Sequence, residues 1–311
     1  MDSYKFVLVD VFTEQPLAGN QLAVVLNAQG LADSQMQAIA REFNYSETTF
    51  VLPSRQAKAA WRLRSFSPSA EVFGAGHNAL GAWWVLADYG AVDLNDPCTT
   101  LWQELGERVL PVEIYSEAGK PLRVAMTQGK VRFGNKLTNR AALARTLGLD
   151  PSDLAVDGLE AQAVSTGAMH LLAPVRSLSA LERVRIDAEG LITLARPLGC
   201  EGCYLFCLET TEQGLAARAR AFFPGIGISE DPATGSAAGP LGAYLASRSL
   251  IAEGVWAVIQ QGVEMKRPSR IEVRVQGEQV EVAGRSVIVA EGIMSLKRDA
   301  ILQVQHKGAQ L

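Results

Sequence analysis

Cysteine and histidine are scarce in this chain, at four and three among 311 residues. With so few cysteines and no export signal, a chain of this size is not expected to rest on a disulfide framework. A metal centre is equally unexpected. Cys200, Cys203 and Cys207 are closely spaced, but a second Cys-x-x-Cys pair is missing and His77, His170 and His306 are far apart. The segment Cys203-Tyr-Leu-Phe-Cys207-Leu208 reads instead as an apolar, buried strand. Long hydrophobic runs are missing too. The longest, residues 79–87, falls far short of the ~20 residues a membrane-spanning helix requires. The opening residues Met1-Asp-Ser-Tyr-Lys-Phe6 lack the basic start and apolar stretch of a secretory signal. Basic residues are scattered and the formal charge is −4. Neither nucleic acid nor a membrane surface is therefore an expected partner, and the expectation is a soluble cytoplasmic protein.

What the chain does have is apolar and small: 48% hydrophobic residues and 28 glycines, enough for a full-sized core. One short pattern occurs twice, about half a chain apart. Arg64-Ser-Phe66-Ser-Pro68 precedes Glu71 and Gly76-His77-Asn78, and Arg220-Ala-Phe222-Phe-Pro224 precedes Glu230-Asp231 and Thr234-Gly235-Ser236. Each copy leads into a helix-like run, over 77–89 and from about 236, that is apolar on nearly every face and so must be enclosed by protein. Pro240 requires the second helix to begin only about a turn before it. Residues 31–43 place Met36, Ile39, Ala40 and Phe43 at helical spacing, an amphipathic helix lying outside a sheet with Asp33 or Ser34 as N-cap. A second outer helix is expected over 140–147. Strands are expected at 4–12, 22–26, 48–52, 59–66, 122–127, 161–164, 203–208 and 218–223, with a hairpin over 270–282.

The predicted fold is α+β, with two pseudo-symmetric lobes, each a curved, mostly antiparallel sheet or open barrel around one central buried helix. The turn Glu117-Ala-Gly-Lys-Pro121 divides residues 1–118 from 119–295, and a tail, 296–311, returns to the first lobe.

An enclosed helix start is a preformed anion site, because unpaired N–H groups and the dipole end point the same way. Gly76-His77 and Thr234-Gly235-Ser236 would together suit a small carboxylate if the halves face each other. The same small residues also permit tight helix–sheet packing, and spacing leaves both readings open. Glu47, after Asn44-Tyr-Ser46, is either an exposed strand-start residue or a carboxylate at a cleft edge. Asp231 either starts a turn or joins the cleft, and His77 either packs or faces a ligand.

In combination these segments resemble the phenazine-biosynthesis PhzF-like family, part of the group with the diaminopimelate-epimerase fold. The matching stretches are Asp10-Val-Phe-Thr13, Pro16-Leu-Ala-Gly-Asn20, the run from Met36 through Ser46-Glu47 to Phe50, and Arg64-Ser-Phe-Ser-Pro68. They continue through Gly76-His77, Ser165-Thr-Gly167, Glu230-Asp-Pro-Ala-Thr-Gly-Ser236 and Gln261 to Ser269. The resemblance implies cofactor-free isomerisation of a small carboxylate between the two lobes. It implies Glu47 as the proton shuttle, His77 and Asp231 as its hydrogen-bonding partners, and Asn20, Ser46, Gly76, Gly235 and Ser236 as substrate-binding positions. It also implies a homodimer.

Some positions depart from the family pattern. Ala75 precedes Gly76 and no cysteine stands in either helix-start motif, so racemisation by two facing thiols is not expected. Asn78, Trp83, Trp84 and Lys266 also differ, which leaves the substrate open. The alternative is a non-catalytic metabolite-binding or partner-binding protein on the same fold.

Overall fold

The computed structural model describes residues 2–296. Among them, eighteen strands form one hydrogen-bonded network. Six α-helices accompany it: α1 (Asp33–Phe43), α2 (His77–Asp88), α3 (Arg140–Leu147), α4 (Leu178–Arg183), α5 (Ala188–Ala195) and α6 (Gly235–Ala246). Among the described residues no helix is long and apolar enough to cross a membrane.

The two halves repeat one pairing scheme. In the first, Asn20–Val25 runs parallel to Glu47–Pro53 with α1 as the crossover, Glu47–Pro53 is antiparallel to Trp61–Phe66, and Trp61–Phe66 is parallel to Cys98–Leu105 across α2. In the second, Met169–Pro174 is parallel to Cys203–Cys207 across α4 and α5. Cys203–Cys207 is antiparallel to Leu215–Phe223, which is parallel to Ala257–Gln261 across α6. Parallel neighbours need a long return, and a helix supplies it in each case.

One helix per half lies inside. Ten of twelve residues are buried in both α2 and α6, which fits helices without a polar face. Gly81 of α2 shows how close the sheet comes: a Cβ there would lie 2.6 Å from Val11 Cγ2 and 2.7 Å from Leu22 Cδ2. By contrast, α1 buries only Met36, Ile39 and Ala40 and packs on the outside. Its N-cap is Ala32, not Asp33 or Ser34. The Gln35 side chain accepts from the Ala32 N–H at 2.9 Å, and Asp33, inside the first turn, pairs with Arg64. In α6, Pro240 stands five residues after the first, Gly235.

The repeated Arg-x-Phe pattern has a structural use. Arg64 forks onto Glu71, with both contacts at 2.7 Å, and lies over Phe66. Arg220 forks onto Glu230 at 2.8 and 2.9 Å and lies over Phe222. Each pair ties the end of one strand to the short strand that follows it, Glu71–Val72 or Ile228–Asp231. Bidentate Arg–carboxylate geometry makes these rigid ties.

The turn at 117–121 is a hairpin tip, with Ala118 and Gly119 both at positive φ between Arg108–Glu117 and Lys120–Thr127. Lys120–Thr127 then pairs with Gln279–Gly284 of the second half. Residues 286–295, which the sequence places in the second lobe, belong to the strand Ser286–Leu296 that pairs along the whole of Asp2–Val11. Asp2–Val11 has Asn20–Val25 on one side, and this strand covers its other edge. Residues 297–311, the rest of the expected returning tail, lie outside the described residues, as does His306.

Candidate active site

The starts of α2 and α6 are linked by a short chain of polar side chains. His77 is the first residue of α2, and its Nε2 lies 3.4 Å from Ser46 Oγ. Ser46 Oγ lies 3.4 Å from Asn20 Oδ1. Asn20 Nδ2 donates to Asp231 Oδ1 at 2.9 Å and to the Ala233 carbonyl at 2.8 Å. Thr234, the N-cap of α6, donates its hydroxyl to the other Asp231 oxygen. Local structure sets each position: Asn20 and Glu47 begin parallel neighbouring strands, and Asp231 ends the short strand Ile228–Asp231.

The two carboxyl groups in this region differ in kind. Glu47 Oε2 is sealed from solvent without a hydrogen-bond partner. Burial first, then the charge of Asp231, pushes its pKa up to about 8. Burial also raises Asp231, but donation from Thr234 and Asn20 opposes the rise and leaves it at about 6. His77 is buried, which lowers its pKa to about 4 and keeps the imidazole neutral at neutral pH.

The remaining expected positions lie on the helix starts themselves. Gly76 is the half-buried N-cap of α2, Gly235 is buried at the first position of α6, and Ser236 follows it, half-buried. A Cβ on Gly235 would come within 3.1 Å of Phe12 Cζ. Among the described residues no cluster of His, Cys, Asp or Glu is arranged to hold a metal ion.

Two supporting residues, Gln261 and Arg267, lie in the family-like stretch Gln261–Ser269 but carry no site expectation from the sequence. Gln261 donates to the Asp231 carbonyl at 2.7 Å and to Thr234 Oγ1 at 3.0 Å, while its Oε1 accepts from the Thr234 N–H and the buried Tyr204 hydroxyl. Its place at the head of the family-like stretch Gln261–Ser269 is its sequence signal. Arg267 spans the halves, reaching Asp10 Oδ1 at 2.5 Å and the carbonyls of Ala18 and Gly19 at 2.7 and 2.8 Å. Asn20 follows directly.

Three of the departures from the family pattern, Asn78, Trp83 and Lys266, have a defined local setting. Asn78 Oδ1 accepts from the N–H groups of Gly76 and Ala79, and its Nδ2 donates to the Gly74 carbonyl, so it folds the preceding loop onto α2. Trp83 is core, with its indole N–H on Gln103 Oε1 at 2.9 Å. Lys266 sits at φ 59°, in the left-handed region that ordinarily favours glycine.

The family model for the phenazine biosynthesis-like proteins, PhzC-PhzF, matches residues 9–292. The chain belongs to that family. A trans-2,3-dihydro-3-hydroxyanthranilate isomerase of Pseudomonas aeruginosa is 34% identical to this PhzF-family chain over 294 residues, covering 93% of this chain and 98% of the relative. A PhzF-family phenazine biosynthesis protein from Bacillus anthracis superposes with a TM-score of 0.85 at 28% identity, covering 95% and 100% of the two chains. A hydroxyproline epimerase from Agrobacterium vitis, 12% identical with a TM-score of 0.59, shares the fold over 94% of this chain and 93% of its own. The expected diaminopimelate-epimerase-like fold is thus the observed one. As a PhzF-family member with relatives named as isomerases, the chain is an isomerase.

Proposed function

We propose that this isomerase moves a proton between two carbons of a small carboxylate substrate, using Glu47 to accept and return it and no cofactor. The observation that carries this reading is the Glu47 carboxyl, whose Oε2 is sealed from solvent without a partner and whose pKa is pushed up to about 8. A group that must take a proton and then release it works best with a pKa near the working pH.

Ionised Glu47 takes a proton from a carbon beside the substrate's unsaturated system, and the C–H electron pair delocalises into it. Protonated Glu47 then gives the proton to another carbon. A double bond shifts, no atom leaves, and Glu47 ends as it began. The negative charge between the two transfers is held by the starts of α2 and α6, whose free N–H groups and dipoles suit an anion. The neutral His77 imidazole and the Asp231 carboxylate orient the substrate, with Asn20, Ser46, Gly76, Gly235 and Ser236 forming the walls.

The named activity of the relatives makes trans-2,3-dihydro-3-hydroxyanthranilate the first probe, followed by other small unsaturated carboxylates, with NMR in D₂O as the readout. Glu47→Gln is expected to lose about 10²–10⁴-fold of the rate, the usual contribution of a positioned acid–base group. Native-like turnover by Glu47→Gln of any compound the unmodified protein converts would sink the role of Glu47. Tight binding of a compound without exchange or conversion would favour the non-catalytic alternative.

A further inference from the structure

His170 stands second in the strand Met169–Pro174, directly across from Val164. Val164 and Leu172 belong to the core around α2 and α6, whereas Leu171 belongs to the outer core under α3–α5. Strand alternation therefore turns His170 toward the α6 side. Its ring meets Phe223 edge-on, with centroids 5.2 Å apart. The residue is only 7% exposed, yet its Nε2 has no hydrogen-bond partner. Buried polar atoms are normally paired, so an orphan one asks for a partner that the folded chain does not supply.

Strand register fixes its height in the fold. Leu172, Tyr204, Ala221 and Asp231 are successive partners across four strands and form one row. Tyr204 marks the level at which α6 begins, because its hydroxyl donates to the same Gln261 oxygen that accepts from the Thr234 N–H. Two residues on, Phe206 meets Tyr244 near the far end of α6. The helix body thus lies on the Phe206 side of the row. His170 and Phe223 lie two residues to the other side, beyond the helix start, at the end where Asp231 and Thr234 gather.

We propose that His170 lines the substrate cleft from the second half of the chain and offers Nε2 to an uncharged polar substituent of the substrate; this rests on the function proposed above. Burial lowers the imidazole to about 4, so at neutral pH it carries one donor and one acceptor without charge. Such a group suits a hydroxyl, carbonyl or neutral amine. The substrate carboxylate is served by the helix starts, which makes His170 a specificity residue.

Access is tested on the intact protein with diethyl pyrocarbonate, which modifies neutral imidazole nitrogen, followed by peptide mass spectrometry. His170 is expected to react in the native state and to be protected by trans-2,3-dihydro-3-hydroxyanthranilate or another carboxylate that the protein converts. A His170 that reacts only after unfolding in urea is a core residue, and the proposal falls.

Kinetics provide the second readout. In His170→Leu, KM is expected to rise about tenfold, the loss of roughly one hydrogen bond. Its kcat should stay within about threefold, and His170→Gln should be milder. The Tm of the Leu variant should match or exceed the native value, because the unpaired buried nitrogen is gone. An unchanged KM in His170→Leu overturns the proposal. Failure of the Glu47 reading shows separately in Glu47→Gln, and the labelling result does not depend on it.

Discussion

Asn20 and Asp231 stand 211 positions apart in sequence, yet a 2.9 Å hydrogen bond joins them. The bond crosses between the two halves of the chain and makes the acid of one half depend on the amide of the other. It also separates two carboxyl groups in character, since Asp231 has Asn20 and Thr234 as donors whereas Glu47 Oε2 has none.

Removing the amide tests that dependence. In Asn20→Ala, Asp231 loses a donor to its charged form, so its pKa should move up from about 6. The corresponding limb of the pH profile of kcat/KM should shift to higher pH. A hydrogen bond to a charged acceptor contributes about 1.5–3 kcal/mol, so a loss of stability of that order, read from urea unfolding, is also expected. An unmoved acid limb would mean that the bond does not set the Asp231 charge.

Glu47 should leave a mark on stability as well as on rate. Its folded pKa, about 8, lies above the 4.5 of an ordinary glutamate, so the folded state holds the proton more tightly. The associated stability is fully present below about pH 4.5 and is lost as pH rises through about 8. Each tenfold gain in proton affinity corresponds to about 1.4 kcal/mol, so the total is on the order of a few kcal/mol. Glu47→Gln should therefore be more stable than the unmodified protein at pH 8.5 and close to it at pH 5, as read by Tm at the two pH values. Equal pH dependence in both proteins would show that Glu47 titrates normally.

Arg267 is expected to act as a clasp across the halves. It holds Asp10 and the Ala18 and Gly19 carbonyls, and the loop it grips contains Leu17 and Gly19 at positive φ. Lysine keeps the charge but not the planar fork. Arg267→Lys should lower stability by about 1.5–3 kcal/mol, the range for hydrogen bonds to charged groups. It should also raise KM more than it lowers kcat, because Asn20 follows the gripped loop. A KM equal to the native value would limit Arg267 to a structural tie.

Close packing of α2 against the sheet provides a test without chemistry. The Cβ of Gly81→Ala would lie 2.6 Å from Val11 Cγ2 and 2.7 Å from Leu22 Cδ2, so these buried side chains, or the strands that carry them, must give way. Overpacking of this kind costs about 1–3 kcal/mol, measurable as a lower Tm. No loss of stability would mean that the packing around α2 yields easily.

Much of this fold is legible in the amino-acid sequence. Apolar residues on all faces mark α2 and α6 as enclosed, one-sided spacing marks α1 as external, and the helix at Arg140–Leu147 lies where periodicity places it. The strand Cys98–Leu105 is not anticipated because its buried and exposed positions are mixed rather than cleanly alternating, and Arg108–Glu117 alternates only over 112–116, after Pro111, a residue that argues against a strand. Glu71 and Glu230 follow the repeated motif and look available to a cleft, but their partners are Arg64 and Arg220, side chains from the preceding strands.

The sequence alone determined that there are two halves, that each encloses a helix, and that Glu47, His77 and Asp231 stand in motifs of one family. Those properties are local, written in spacing, hydropathy and short motifs. Folding is what joins Asn20 to Asp231, seals Glu47 Oε2 without a partner, and turns His170 to the α6 side beyond the helix start. Burial and hydrogen-bond partners combine neighbours such as Thr234 with residues as distant in sequence as Asn20, and it is they that set the protonation of a carboxyl group.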